Sequence, residues 1–342
     1  MKNVLLATVL VAISFGMLGG CAKRVQTVTA PGAISLGMVT DVGGLGDKSF
    51  NDSAYRGLKQ AQAQLGARVQ VLQSKSASDY QPNLTALTNQ HFDEIYAIGF
   101  LMNNDVDQVA KTNPKQNYAI IDAVVNDPNV ASITFKEEDG SFLAGALAAM
   151  VSKTHSIAFL GGQDIPLIRK FEAGYIAGAR QVDPNIKVQV KYVGSFDDPG
   201  SGKEFANLLY DSGADIIFTA AGKAGLGAID AVKARTGKFV IGVDSNQDDL
   251  APGKVLTSMI KRVDVGVFRV AQTIKAKTPL HGHIILGLKD DAVGLTNFQY
   301  TKDVVTPDIT KRLDAIKKAI IAGKINPPNT REDLANFKRV SI

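Results

Sequence analysis

Cysteine, histidine and tryptophan are scarce in this sequence of 342 residues, which contains one cysteine, four histidines and no tryptophan. With Cys21 alone, no disulfide can form within the chain. His281 and His283 lie one residue apart without a further candidate ligand nearby, so we predict no metal site. Neither a GxSxG nor a Walker motif occurs. We therefore predict no catalytic centre and no cofactor.

Charge of one sign is also lacking. The chain carries 38 Lys and Arg against 33 Asp and Glu, a net charge of +5, and the basic residues are scattered along it. This distribution indicates a solvated surface and gives no basis for nucleic-acid binding. With 45% hydrophobic residues, a chain of this length can bury the cores of about two domains.

The N-terminus resembles the export signal of a bacterial lipoprotein. Lys2 precedes an apolar run over residues 4–18, which is short for a membrane span, and the run leads to Gly19-Gly20-Cys21. We predict a signal peptide over residues 1–20, a lipid (diacylglyceryl and palmitate) on Cys21, and a polar tether over residues 21–32. An ordinary signal peptide with an incidental cysteine is the alternative. The lipid predicts anchoring to the cell membrane, on its periplasmic side or at the cell surface.

Strand-like and helix-like segments alternate from residue 33 onward, beginning with an apolar run at 33–40 and a helical period at 48–65. The alternation predicts an α/β protein with two doubly wound lobes, each built on a parallel sheet. It restarts near residue 136 and breaks after residue 254. The predicted lobes, joined by several crossovers, are an N-terminal one (33–135 plus about 255–282) and a C-terminal one (136–254 plus about 283–342).

The segment DVGGLGDKSFND, residues 41–52, follows the first predicted strand and leads into the first predicted helix. In open α/β sheets, ligands bind at the carboxyl ends of the strands, where this segment would lie. Its glycines are not spaced as GxGxxG, and the carboxylates of Asp41 and Asp47 would repel a pyrophosphate. They suit a neutral ligand rich in hydroxyl groups, because each accepts several hydrogen bonds. A helix-capping role for Asp47 or Ser49 is the alternative.

Other predicted strands also end in charged residues, namely Asp122, Asp244 and Lys261. Their recurrence favours a polar cleft, although aspartate is also common in surface turns. Two phenylalanines, Phe50 in the acidic segment and Phe171 on a helix of the second lobe, could sandwich a planar base. Burial of either ring in an ordinary core between helix and sheet is the alternative.

The sequence resembles the basic membrane protein family, the purine nucleoside receptor A-like substrate-binding lipoproteins of ABC transporters. The resemblance covers residues 32–327 and is carried mainly by GMVTDVGGLGDKSFNDSAYRGL at 37–58, with support from EDGSFLAGALAAM, FLGGQDIPLIRKFEAGYIAGA, GVDSNQDD and LTSMIKR. It implies the type I periplasmic-binding-protein fold with three interlobe crossovers and no catalysis. The partner it implies is an ABC permease of the inner membrane. We expect the protein itself to be a monomer.

The resemblance also implies a cleft that closes around a purine nucleoside. It implies that Phe50 and Phe171 stack on the base and that Asn51 and Asp122 form hydrogen bonds with its edge. It further implies that Asp41, Asp244 and Lys261 hold the ribose, with the backbone of Gly222 nearby. The sequence departs from the family pattern at residues 163–165, Gln-Asp-Ile, near which relatives often carry methionine.

Other functions stay open at this point. A sugar or a diol resembling an autoinducer would suit the same carboxylates. Acids in a ribose pocket could also serve a nucleoside hydrolase, although no histidine pair or metal cluster in the sequence supports catalysis. A lipid anchor would further permit a role as an adhesin or surface antigen.

Overall fold

The computed structural model describes residues 32–341. The predicted signal peptide, the lipidation site Cys21 and the tether up to residue 31 lie outside the described residues. Among residues 32–341, no helix has both the length and the apolar composition needed to cross a membrane.

Strands in the described part of the chain form two six-stranded sheets. The strands are β1 (Ser35–Thr40), β2 (Arg68–Gln73), β3 (Glu94–Ile98), β4 (Tyr118–Ile121), β5 (Val130–Phe135), β6 (Ser156–Gly161), β7 (Lys187–Tyr192), β8 (Ile216–Ala220), β9 (Phe239–Asp244), β10 (Val255–Lys261), β11 (Gly282–Leu286) and β12 (Val293–Leu295). The first sheet has the order β11-β5-β4-β3-β1-β2 and the second has the order β12-β10-β9-β8-β6-β7. Each lobe thus contains the same arrangement of five parallel strands and one additional edge strand. In the first lobe the edge strand β11 runs parallel to β5, whereas in the second lobe the edge strand β12 runs antiparallel to β10.

The hydrophobic pattern of the strands matches their positions. Central strands such as β3, β6 and β8 are buried along their whole length, as expected for parallel strands with helices on both faces. The edge strands β2 and β7, with the sequences RVQVLQ and KVQVKY, alternate polar and apolar residues and are partly exposed. The sequence therefore distinguishes the middle of each sheet from its edge.

Helices cover both faces of each sheet. They are α1 (Phe50–Leu65), α2 (Tyr80–Thr88), α3 (Asn103–Thr112), α4 (Glu137–Val151), α5 (Pro166–Val182), α6 (Pro199–Asp211), α7 (Gly225–Lys233), α8 (Val263–Lys275), α9 (Pro307–Ile321) and α10 (Arg331–Ala335). In the first lobe α1 packs with α8 and α2 packs with α3, whereas in the second lobe α4 packs with α5 and α6 packs with α7. Helices α9 and α10 pack on α4 and α5.

The chain crosses between the lobes three times, after β5, after β10 and after β11. Two of the predicted boundaries have to be moved. The return to the first lobe lies at Arg262 and not at about residue 255, because β10 pairs with β9 and β12 in the second sheet. The last crossing follows Leu286, three residues beyond the predicted boundary at about 283, because β11 pairs with β5 in the first sheet. An apolar run predicts a strand, but the pairing partner decides its lobe.

Candidate ligand-binding site

A cavity lies between the two lobes at the carboxyl ends of their strands. All nine residues that the sequence analysis selected for the ligand line it, namely Asp41, Asp47, Phe50, Asn51, Asp122, Phe171, Gly222, Asp244 and Lys261. The side chains that both lobes were expected to donate therefore face one space.

Four of these residues lie at the ends of parallel strands. Asp41 follows β1 and Asp122 follows β4 in the first lobe, whereas Asp244 ends β9 and Lys261 ends β10 in the second lobe. Asp122 and Asp244 both adopt positive φ angles, 69° and 63°. Aspartate tolerates this left-handed conformation better than most residues, and such strain is concentrated at functional sites.

Lys261 is a buried cation of the cavity, with 2% of its side chain exposed. Its Nζ donates to Asp122 Oδ2 of the other lobe at 2.5 Å and lies 3.2 Å from Glu137 Oε1. Burial raises the pKa of Asp122 to about 7 and that of Asp244 to about 6, although Lys261 opposes both shifts. Burial by itself would lower the pKa of Lys261, but the three neighbouring carboxylates raise it. The ammonium therefore stays charged and joins the two lobes.

The side-chain amide of Asn51 is held in one orientation by two carboxylates. Its Nδ2 donates to Asp41 Oδ1 at 2.7 Å and to Asp47 Oδ2 at 3.1 Å. Asn51 Oδ1 and Asp122 Oδ1 are buried and have no hydrogen-bond partner among residues 32–341. A buried polar atom left in this state costs about 1–3 kcal/mol. We refer to these two oxygens as the acceptor pair, and a ligand with matching donors would satisfy them.

Asp47 caps the first helix. Its carboxylate accepts hydrogen bonds from the backbone N–H groups of Ser49, Asn51 and Asp52 at 2.9, 2.7 and 3.1 Å. These groups belong to the start of α1, where backbone donors have no partner within the helix. Asp47 therefore has the helix-capping role that was the alternative to ligand binding. Its carboxylate also accepts a hydrogen bond from Asn51 Nδ2 and so orients the Asn51 side chain in the cavity.

Asp41 is buried against the loop that follows β3. Its Oδ1 accepts from Gly43 N at 2.9 Å, and burial raises its pKa to about 6. Gly99 has a φ of 122°, and a Cβ added there would lie 3.2 Å from Asp41 Oδ2. Only glycine fits this conformation without strain, so that the loop can approach the carboxylate closely.

Phe50 and Phe171 come from different lobes and meet at Lys261. The Lys261 Nζ lies 5.1 Å from the ring centroid of Phe50 and 5.5 Å from that of Phe171. Phe171 is also part of the core, because its ring packs against Phe218 with the centroids 6.4 Å apart. The ring therefore lines the cavity from a core position, and its stacking on a base stays a prediction.

Further residues line the cavity that the sequence analysis did not select: Gly43, Gly99, Phe100, Leu101, Leu167, Ile168, Phe196, Ala220, Lys223 and Val243. Gly99 follows β3 and Ala220 ends β8, so the strand-end rule would have found both if applied to every strand. Phe196 lies four residues beyond β7 and offers no such signal. Glu137, which lies beside Lys261 behind the cavity lining, was also not selected. An acidic residue in the first turn of a helix predicts only a favourable interaction with the helix dipole.

Hydrogen bonds across the cleft describe a closed form. Ser49 Oγ of the first lobe donates to Asp244 Oδ2 at 2.6 Å, and Ser245 Oγ of the second lobe donates to Ser49 O at 2.7 Å. Arg56 on α1 donates to Ser245 Oγ at 3.0 Å. Hinged lobes that close around a ligand are a common arrangement for binding proteins.

Comparison with known proteins identifies the family. A family model described as ABC transporter substrate-binding protein PnrA-like matches residues 34–330. The chain belongs to the Bmp family. This Bmp protein is therefore a substrate-binding component of an ABC transporter and not an enzyme, and it works outside the cytoplasm with a small-molecule ligand and a permease partner. The predicted resemblance is confirmed.

Relatives of this Bmp protein match it over most of their length. "ABC transporter nucleoside-binding protein BmpA" of Lactococcus lactis subsp. cremoris is 35% identical over 353 residues, which cover 96% of this chain and 99% of the relative. "Basic membrane protein A" of Borreliella burgdorferi is 36% identical over 304 residues, which cover 86% and 88%. A solute-binding protein of an ABC transporter system from Aeropyrum pernix superposes with a TM-score of 0.83 at 28% identity and covers 89% of this chain and 96% of its own. The predicted type I periplasmic-binding-protein fold is confirmed.

Proposed function

We propose that this protein captures a purine nucleoside in the interlobe cavity and delivers it to an ABC permease. The observation that carries the proposal is the acceptor pair, Asn51 Oδ1 and Asp122 Oδ1, in a cavity lined by two phenyl rings from opposite lobes. A planar base with N–H donors on its edge would satisfy both features at once. The nucleoside named as the ligand type of the Lactococcus lactis relative supports the same assignment.

The fixed amide of Asn51 supports a base over a ligand with acceptors alone. Both hydrogens of its Nδ2 are directed to Asp41 and Asp47, so Oδ1 faces the ligand as an acceptor. Amino groups and ring N–H groups of purines supply the complementary donors. A sugar hydroxyl could donate as well, but it would leave the two aromatic faces without a stacking partner, and each stacked face is worth about 1–3 kcal/mol.

The charge of the cavity supports a nucleoside over a nucleotide. Asp41, Asp122 and Asp244 lie around the space, and Lys261 is already paired with Asp122 and Glu137. A phosphate would enter a site where carboxylates outnumber the available cations, and like charges at short range are costly in a buried setting. The carboxylates of Asp41 and Asp244 are instead suited to accept hydrogen bonds from ribose hydroxyls.

Calorimetric titration of the purified protein with adenosine, guanosine, inosine, ribose and AMP tests this proposal. We expect micromolar or tighter binding of at least one nucleoside, and binding of ribose and AMP that is weaker by about a hundredfold or more, since two stacked faces or charge repulsion are lost. Tight binding of ribose with equal affinity would favour the sugar alternative. No binding of any nucleoside at micromolar concentrations would contradict the proposal.

An asparagine pair supplies a matched control. Asn51→Ala removes one oxygen of the acceptor pair, whereas Asn103→Ala changes an asparagine of the same lobe whose amide donates to Val124 O outside the cavity. We expect Asn51→Ala to weaken nucleoside binding by about tenfold or more and Asn103→Ala to leave it unchanged. Equal affinities of the two variants would show that Asn51 does not contact the ligand.

We also propose that Cys21 carries the lipid that anchors a monomeric protein to the membrane. Detergent phase partitioning of the protein expressed in bacteria tests this part. The natural sequence should enter the detergent phase, and Cys21→Ser should remain in the aqueous phase. Aqueous partitioning of both would indicate the alternative of an ordinary signal peptide.

A further inference from the structure

The segment after α9 runs back over the second lobe. We refer to residues 327–341, which include α10, as the C-terminal strap. It packs on α4 and α5, where the Phe337 ring makes an edge contact with Phe142 at 5.7 Å between centroids. Its end is tied to α5 by a pair of bonds, since Val340 N donates to Gln181 Oε1 and Gln181 Nε2 donates to Val340 O. Most of the strap lies beyond residue 330, where the family match ends.

Arg331 of the strap forms an ion pair with α5. Its Nη2 and Nε donate to the two oxygens of Glu172 at 2.8 and 3.1 Å, which is the bidentate geometry that fixes an orientation as well as a distance. Its Nη2 also lies 3.1 Å from Asp164 in the loop that precedes α5. Glu172 is 4% exposed and accepts a further hydrogen bond from Tyr192 of β7. One guanidinium thus ties the loop, the helix and the strap together.

The segment between these two acids forms a wall of the ligand cavity. Leu167, Ile168 and Phe171 lie between Asp164 and Glu172 in the sequence, and all three line the cavity. Phe171 is the residue directly before Glu172, and both lie in α5. A planar side chain that holds both flanks of this segment would fix it before any ligand arrives.

We propose that Arg331 is a positioning residue of the binding site, which holds the first turns of α5 and thereby the Phe171 wall in the ligand-competent arrangement. It does not contact the ligand itself, because it does not line the cavity. The effect of Arg331 on ligand affinity rests on the proposed function. Its effect on the position of the cavity wall formed by the start of α5 does not.

Arg235 offers a matched control in the same lobe. Its guanidinium donates to Asp211 at 2.7 Å and to Asn207 at 3.0 Å and lies over the ring of Tyr210, as Arg331 lies over that of Tyr192. It ties α6 to the region after α7, and the buried residues of α6 and α7 belong to a different core cluster from those of α5. Arg331→Met and Arg235→Met therefore remove similar side chains from different elements.

Hydrogen–deuterium exchange of the ligand-free protein tests the proposal without any nucleoside. We expect Arg331→Met to speed exchange of the amides in 166–176 by about fivefold or more, and Arg235→Met to leave that segment unchanged while speeding exchange in α6. Glu172→Gln should act like Arg331→Met and provides a second test if one variant folds poorly. Unchanged exchange in 166–176 in both Arg331→Met and Glu172→Gln would overturn the proposal.

Titration with guanosine then measures the consequence for binding. Arg331→Met should weaken binding by about five- to tenfold in the natural sequence and by less than about twofold when Phe171→Ala is already present, as expected for two residues of one network. An equal loss in both backgrounds would overturn the role through Phe171. If the natural sequence itself binds no nucleoside, the proposed function fails, and the exchange experiment still decides the role of Arg331.

Discussion

Replacement of Lys261 by methionine is expected to destabilise the protein strongly and in a manner that depends on pH. Methionine keeps most of the buried aliphatic volume of lysine but removes the ammonium, which lies 2.5 Å from Asp122 Oδ2 and 3.2 Å from Glu137 Oε1. Glu137 retains a distant partner in Lys170 at 3.4 Å, whereas the carboxylate of Asp122 loses its cation. A buried charge is then left without compensation.

Breaking a buried ion pair in this way costs about 3–5 kcal/mol, so we expect the free energy of unfolding of Lys261→Met to fall by that amount at pH 8. The pKa of Asp122 is about 7 in the natural protein, and Lys261 is one of the groups that lower it. At pH 5.5 Asp122 is mainly protonated, and the loss should therefore be smaller by about 1–2 kcal/mol. Adding Asp122→Asn to Lys261→Met should recover part of the stability at pH 8, since it removes the uncompensated charge.

Urea unfolding followed by far-ultraviolet circular dichroism measures these differences in a chain without tryptophan. Lys203→Met is the control, because Lys203 pairs with Asp230 at 2.6 Å while both side chains are about half exposed. An exposed pair of this kind contributes about 0–1 kcal/mol. Unfolding of Lys261→Met at the same urea concentration as Lys203→Met, or an equal loss of stability at pH 5.5 and pH 8, would refute the role of the buried ion pair.

Three further predictions concern the ligand, the acids and the loop beside them. Phe50→Ala and Phe171→Ala should each weaken nucleoside binding by about 5- to 150-fold in calorimetric titration, which corresponds to 1–3 kcal/mol per stacked face; unchanged affinity would mean that no base is stacked. The ligand-free protein should lose stability as the pH rises from about 4 to 7. Burial raises the pKa values of Asp41 and Asp122 to about 6 and 7, so the folded state binds more protons than the unfolded state in this range. Urea titrations that show rising stability from pH 4 to 7 would contradict this prediction. Gly99→Ala should lower the free energy of unfolding by about 1–3 kcal/mol, since φ is 122° there and the added Cβ approaches Asp41; an unchanged urea midpoint would show that the loop adjusts freely.

Much of the site could be predicted because parallel sheets impose a simple geometry. The carboxyl ends of parallel strands meet at one edge, so charged residues that follow separate strands are brought together even when they lie far apart in the sequence. Asp41 and Lys261 are 220 positions apart in numbering, about two-thirds of the chain, yet both line one cavity. The same rule would have located Gly99, had it been applied to β3.

The pairing of the late strands could not be predicted in this way. Both β10 and β11 are apolar runs that fit either sheet by composition, and composition does not indicate which strand each one pairs with. For the same reason the predicted boundaries at about residues 255 and 283 had to be moved.

Contacts that depend on tertiary structure could not be predicted from the sequence either. Glu137 resembles an ordinary acid in a first helical turn, and only the packing of α4 against β10 shows that it is fully buried beside Lys261. Arg331 lies in a polar segment near the end of the chain, where nothing in the local pattern indicates a bidentate contact with Glu172. Partners so far apart in sequence leave no periodic signal, and their pairing follows from how the elements meet in space.

The most direct test of the central claim is a crystal structure of the protein grown with guanosine. We expect the base between the rings of Phe50 and Phe171, with N–H groups within about 3.2 Å of Asn51 Oδ1 and Asp122 Oδ1 and the ribose toward Asp244. A ligand bound outside this cavity, or a base whose edge faces away from both oxygens, would contradict it.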